Sequence, residues 1–254
     1  MKENVPTYVI HYTKNTTRKK VLSSIFDIEK FNNVLWVEAF DREQVLYEHF
    51  RDHFNVTETE FDYRRPTEFH WELHRLKAAE VSLILKQKLA LQHFTQTAHD
   101  VCLVLEDDAI VADDFVSRLD GYCEELPNDW EFAFVGQGLN KRIPKEELVD
   151  GVHWYKKTYP ADRCADSMLI KKSAAQKILR GMTERGVCFP IDHEYAFWFR
   201  ELNINVYWLE PPLVSQGSQC GLFESFQDSP TQYCNQGFRQ IRSDLDERLA
   251  SIRT

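Results

Sequence analysis

The stretch Val101-Cys102-Leu103-Val104-Leu105-Glu106-Asp107-Asp108 constrains this chain more than any other, because five apolar residues run directly into three carboxylates. An apolar run this short, rich in Val and Leu, reads as a strand buried on both faces, as in a parallel sheet. Adjacent carboxylates repel one another, so a fold that gathers them at a strand tip usually supplies a cation there. Ligands of open α/β sheets sit outside the carboxyl ends of the strands. The stretch therefore predicts a divalent-metal site at a strand tip, poised to hold phosphate oxygens. A solvated acidic turn is the competing reading. Ala112-Asp113-Asp114 starts a helix nearby, and acidic residues belong in first turns.

Upstream, Thr7-Tyr8-Val9-Ile10-His11-Tyr12 reads as a first strand, Arg18-Lys19-Lys20 opens an amphipathic helix to about Phe31, and Val34 to Phe40 reads as a second strand. That order is a βαβ unit and predicts a parallel sheet with a right-handed crossover. Residues 41–66 are polar with scattered aromatics and carry no assignment. Thr67 to about Gln96 lacks Gly and Pro and reads as one long helix with an apolar stripe at Leu73, Leu76, Leu83, Ala90 and Phe94, interrupted by Glu80 and Gln87. A buried carboxylate is costly unless paired, so Glu80 marks a site residue, a structural network or a break in the helix.

Beyond the carboxylates, a helix over 113–125 ends before Pro127, and Glu131 to Val135 reads as a strand followed by Gly136-Gln137-Gly138. The two glycines permit a close backbone approach. Lys141 to Tyr159 is mixed loop and strand. Asp166 to Ile170 reads as a strand, and Ser173-Ala174-Ala175-Gln176 reads as a capping box opening a helix through about Arg180. Pro190-Ile191-Asp192-His193-Glu194 leads into another helix with Asp192 as its N-cap on spacing alone. Ile204 to Leu209 is the last strand, residues 210–218 leave the sheet as an extended loop, and about 240–253 reads as an exposed charged helix. Residues 1–222 form one domain in this reading, and 223–254 a tail.

The 254 residues are enough for a sizeable core. A net charge of -9 with no long basic run argues against nucleic acid as a partner. No apolar stretch is long enough to cross a membrane, and the N-terminus lacks a signal-peptide run. The six cysteines are widely spaced with no CxxC pair, which fits reduced thiols in a cytoplasmic protein better than a disulfide frame.

Taken together, Tyr8-Val9-Ile10-His11-Tyr12 with Arg18, Val104-Leu105-Glu106-Asp107-Asp108-Ala109, Met168 to Leu179, Pro190-Ile191-Asp192 and Pro211-Pro212-Leu213-Val214-Ser215-Gln216 resemble glycosyltransferase family 25. That family includes lipooligosaccharide and collagen galactosyltransferases, and the agreement runs in order over roughly residues 7 to 220. The chain departs from the pattern in its long helix, where Ala79 stands for a Gly before Glu80 and Lys86-Gln87 stand for a Ser-His pair.

The resemblance implies a GT-A type α/β domain with a mostly parallel sheet. It implies inverting transfer of a hexose, often galactose, from a UDP-sugar to a hydroxyl of a glycan, glycoconjugate or lipid-linked oligosaccharide. Such an enzyme could meet its acceptor peripherally at the inner membrane face. Mn²⁺ or Mg²⁺ suits carboxylate and phosphate oxygens, with Asp108 and then Glu106 as metal ligands. Asp107 could turn back toward ribose or sugar hydroxyls, since alternate residues of an extended segment face opposite sides. His11, Arg18 and Glu80 would meet the donor. Asp192 is the first choice of base for the acceptor hydroxyl, with Glu194 in reserve. A nucleotide- or glycan-binding module without turnover and a metal-dependent phosphohydrolase are the alternatives.

Overall fold

The computed structural model describes residues 5–65, 76–223, 242–244 and 250. β1 (Thr7–Ile10), α1 (Thr16–Glu29) and β2 (Val34–Val37) form the expected βαβ unit, with Thr7 paired to Val34 in parallel. Next come α2 (Tyr47–His53), α3 (Glu58–Arg64) and α4 (Ala78–Gln96). The carboxylate-tipped stretch is β3 (Val101–Glu106), followed at once by β4 (Ala109–Val111). α5 (Phe115–Glu124), β5 (Phe132–Phe134), β6 (Trp154–Lys157) and β7 (Ser167–Lys171) follow. The chain continues through α6 (Lys172–Arg185), α7 (Ile191–Glu201), β8 (Val206–Leu209) and β9 (Val214–Gln216).

Seven strands form one sheet in the order β2-β1-β3-β7-β5-β8-β6. β7 runs antiparallel to β3 and β5, and β6 antiparallel to β8. The other strands are parallel, so the sheet is mostly parallel as expected. Side chains alternate between its faces. Tyr8, Ile10, Cys102, Val104, Met168 and Ile170 pack under α4, α6 and α7. Val9, Leu103, Leu105 and Leu169 pack under α1 and α5. With both faces covered, β3 has no polar alternate positions, which is why its sequence is a continuous apolar run.

Several boundaries differ from the sequence reading. Lys77 is extended and caps α4, its N–H donating to Glu80 Oε2 at 2.8 Å, so the helix begins at Ala78 and not near Thr67. Residues 66–75, including Leu73, lie outside the described residues, as do Cys234 and most of the expected terminal helix. The unassigned 41–66 stretch holds α2 and α3. Thr57 Oγ1 accepts the Glu60 N–H, a Thr-x-x-Glu start that was legible, while Phe61 is buried against Val56, Cys188 and Phe189. The capping box at Ser173 does not form. β7 feeds straight into α6 with Lys171 at the cap and no side-chain cap bond, and the helix runs on to Arg185. The expected exit loop instead contains β9, which pairs with β4 as a separate two-stranded antiparallel sheet. Cys102, Cys123, Cys164 and Cys188 are free thiols. No described helix is long and apolar enough to cross a membrane.

Candidate active site at the carboxyl edge

β1 and β3 end on one edge of the sheet. Because β7 is antiparallel, it begins on that same edge. The Glu106 N–H donates to the Asp166 carbonyl at 2.9 Å, which sets Asp166 beside the β3 tip. Gly136, just after β5, makes room for it. A Cβ there would stand 2.6 and 2.8 Å from the Asp166 carboxylate oxygens and 2.2 Å from Ser167 Oγ. At Gly138 (φ +32°) a Cβ would stand 2.1 Å from the Arg163 carbonyl oxygen. The close approach expected of these glycines thus admits the protein's own chain.

Asp108 and Asp166 are buried, at 4% and 0% exposure. Ser218 donates its N–H to Asp108 Oδ2 at 3.3 Å and its hydroxyl to the same oxygen, and the Gly217 N–H donates to the Asp108 carbonyl. Among the described residues, Asp108 Oδ1 and Asp166 Oδ2 have no hydrogen-bond partner. Burial raises the pKa of Glu106 well above the carboxylate range, reinforced by the charges of Asp108, Asp166, Asp107 and Asp192. Burial also raises Asp108, and burial with the Asp108 charge pushes Asp166 up to about 7. Such a cluster takes up either protons or a cation.

No three His, Cys, Asp or Glu side chains among the described residues form a ready-made ligand cage. A hard divalent ion needs less from the protein. Mg²⁺ is commonly held by one or two carboxylates, with phosphates and water completing the octahedron. Glu106 and Asp108, with an unpartnered oxygen on the latter, fit that donor set.

Asp107 faces the other way, as the alternation predicts. Its Oδ2 accepts from His11 Nδ1 at 2.9 Å, the Tyr12 N–H at 3.0 Å and Asn15 Nδ2 at 3.2 Å, and its Oδ1 from Arg18 Nη1 at 2.6 Å. Burial works against its charge, but His11, Arg18 and the Tyr12 amide outweigh it and hold the carboxyl below the usual range. Asp107, His11 and Arg18 therefore clamp the β1–α1 loop to the β3 tip. The three residues expected at the donor thus bond to one another.

Glu80 is engaged at the start of α4, where its Oε2 accepts the Lys77 N–H, which corrects its expected place at the donor. Glu194 is fully buried. Its Oε1 accepts the N–H groups of Cys188 and Phe189 at 2.6 and 3.0 Å, and its Oε2 lies 3.6 Å from Arg64 Nη1. Enclosed in this way it cannot reach an acceptor, so it is not a reserve base. Pro190, not Asp192, occupies the N-cap of α7. Asp192 sits half-buried in the first turn, near enough for its charge to be felt at Glu106 and Cys164. Of the residues expected at the site, Glu106 and Asp108 lie at the β3 tip and Asp192 in the first turn of α7. Asp166 and Ser218 were not among the expected site residues. Asp166 was read only as the first residue of a strand, and the direction of that strand is set by its pairing with β3.

No known family profile matches the chain, and no curated protein does. Solved structures do match. The bifunctional glycosyltransferase WbbM is 13% identical with a TM-score of 0.43, covering 81% of this chain, which spans only 38% of that one. The galactosyltransferase LgtC, in complex with donor and acceptor sugar analogues, is 10% identical with a TM-score of 0.43 over 98% of this chain and 97% of that one. A glycosyltransferase involved in glycosylation of the PBCV-1 major capsid is 13% identical with a TM-score of 0.35, over 71% and 66%. The fold assignment rests on the strand order above.

Lys86, which stands where the family resemblance has Ser, is 3% exposed. Its ammonium donates to the His11 carbonyl at 2.7 Å and to Asp41 Oδ1 at 2.8 Å. It ties α4 to the β1 exit and to the segment after β2. Burial raises the Asp41 carboxyl, but hydrogen bonds from Lys86 and Thr13 outweigh that and leave it below its ordinary 3.8. A carboxyl with a lower pKa when folded adds stability above the unfolded value and loses it as pH falls through the folded one. The contribution of this pair is therefore expected intact above about pH 4 and lost below it. Asp41→Asn should lower the urea midpoint at neutral pH and flatten the acid limb of its pH profile. An unchanged profile would show that the pair adds nothing.

Proposed function

We propose that this chain is a GT-A type glycosyltransferase that moves a hexose, galactose favoured, from a UDP-sugar to a hydroxyl of a glycan or glycoconjugate, with inversion and with Mn²⁺ or Mg²⁺. The observation that carries this reading is the buried, unpartnered Asp108 oxygen beside Glu106 at the carboxyl edge, with Asp192 close by. The ordered resemblance to family 25 supports the donor class, and a lipid-linked oligosaccharide is one acceptor of the required kind. A divalent ion held by Glu106 and Asp108 would stabilise the charge that grows on the diphosphate leaving group. The 217–218 turn is hydrogen-bonded to Asp108 and holds that carboxylate in place. The Asp107 clamp holds the β3 tip rigid, so that the ligands need not reorganise as charge develops. Asp192 Oδ1 accepts the His193 N–H, which leaves Oδ2 to take the proton of the acceptor hydroxyl.

Asp192→Asn is expected to keep UDP binding and to lower transfer by about 10²–10⁴-fold, the usual worth of a positioned base. UDP release should be followed with UDP-galactose, UDP-glucose and UDP-N-acetylglucosamine, with and without Mn²⁺. A variant that loses only thermal stability would remove Asp192 as the base. A binding module without turnover is the second reading, favoured by Lys86, whose ion pair with Asp41 fills the place of the Ser-His pair. Calorimetric UDP binding with no transfer to any of a panel of acceptors would select it.

A further inference from the structure

We propose that the cleft between α6 and α7 is a second binding site, for a neutral sugar unit, set apart from the carboxylates of the β3 tip. That the sugar belongs to the acceptor rests on the transferase reading above; the binding itself does not.

The cleft encloses about 450 Å³, within the range of small-molecule sites. Its floor is apolar. Gly181 lies in the interior of α6, where glycine is a poor helix former, and a Cβ there would stand 2.6, 2.8 and 2.9 Å from three carbons of the Trp198 ring. The missing side chain lets that ring sink against the α6 backbone, and Leu202 completes the apolar lining. One wall is fixed. Arg185 donates to Glu60 Oε1 at 2.9 Å and to Glu201 Oε1 at 2.7 Å, and Glu201 Oε2 accepts the Tyr63 hydroxyl at 3.0 Å.

The other wall is open. Arg180 and Glu184 are both exposed on α6 at the i,i+4 spacing, where opposite charges ordinarily pair. Among the described residues neither has a hydrogen-bond or ion-pair partner. A ligand therefore meets one donor fork and one carboxylate of opposite charge above an apolar floor. A simple anion would be repelled by Glu184 and a simple cation by Arg180. The vicinal hydroxyls of a sugar suit both, since they accept from the guanidinium and donate to the carboxylate, while the C–H face of the ring covers the floor. Trp198 stands six residues beyond Asp192 on α7, roughly 9 Å along the helix axis. One rigid element thus carries both the cleft floor and the proposed base, so a sugar held in the cleft is held at a set distance from Asp192.

The test is saturation-transfer NMR on the full chain, without metal or UDP, using methyl β-galactoside and lactose beside glucuronic acid and L-alanine. The neutral sugars should take up saturation. The double variant Arg180→Ala, Glu184→Ala should bind them about tenfold more weakly or worse, with an unchanged thermal melt because neither side chain has a partner in the fold. In transfer assays the same variant should raise KM for an oligosaccharide acceptor and leave kcat alone. Neutral-sugar binding untouched in the double variant would overturn the proposal, as would wild-type preference for glucuronic acid or L-alanine, or no binding of any probe. Sugar binding lost in the variant with KM unmoved would detach the cleft from the acceptor. Sugar binding lost in the variant, with no transfer by the wild type to any acceptor, would keep the cleft and end the transferase reading.

Discussion

Asp108→Ala is expected to lower metal-dependent sugar transfer by about 10²–10³-fold, the equivalent of roughly 3–4 kcal/mol of leaving-group stabilisation lost with one ligand. The chain should stay folded. Removing Asp108 costs the hydrogen bonds from Ser218, but it also removes a charge that raises the pKa of Glu106 and Asp166. The melting temperature of the metal-free variant is therefore expected to hold or rise, while the stabilisation gained on adding Mn²⁺ disappears. UDP release and thermal melts with and without Mn²⁺ separate the two effects. Full activity in the variant would take Asp108 out of the ligand set.

Arg64→Ala is expected to be strongly destabilising. Arg64 is buried and donates to Glu60 Oε1 at 2.7 Å, the Gly186 carbonyl at 3.0 Å and the Arg185 carbonyl at 2.7 Å. Its guanidinium lies 4.7 Å from the Phe197 ring and 5.1 Å from that of Trp198. It is also the cation facing Glu194. Removing one partner of such a buried pair costs about 3–5 kcal/mol, because the other charge stays buried without it. For a domain of this size that corresponds to a melting temperature lower by on the order of 10 °C. Glu194→Gln, which keeps the shape and an acceptor for the Cys188 and Phe189 amides, should lose less stability and retain transfer. Loss of turnover in Glu194→Gln at unchanged stability would instead return Glu194 to the reaction.

The apolar run into Glu106-Asp107-Asp108 was legible because burial on both faces leaves a strand no polar alternate. The parallel β1–β2 pair could be read from the βαβ spacing, whereas the place of β3 on the other side of β1 is set by packing. Asp192 was legible as a residue near that edge, though not its exact place in the helix, since Pro190 holds the cap. For Glu194, Asp107, His11 and Arg18 the local sequence marks a buried polar group without naming its partner. The charged partners lie far off in sequence: Asp107 is 96 positions from His11, and Arg64 is 130 from Glu194.

From the sequence alone came the layered α/β class, the buried β3 and the gathering of negative charge at its tip, because period and composition are local properties. Only the tertiary structure decided which carboxylates are open and which are already engaged. Antiparallel β7 carries Asp166 to the edge, Gly136 lets it stay, and the β1–α1 loop closes over Asp107. Strand direction and the identity of a distant hydrogen-bond donor are set by packing between segments, and no local pattern encodes them.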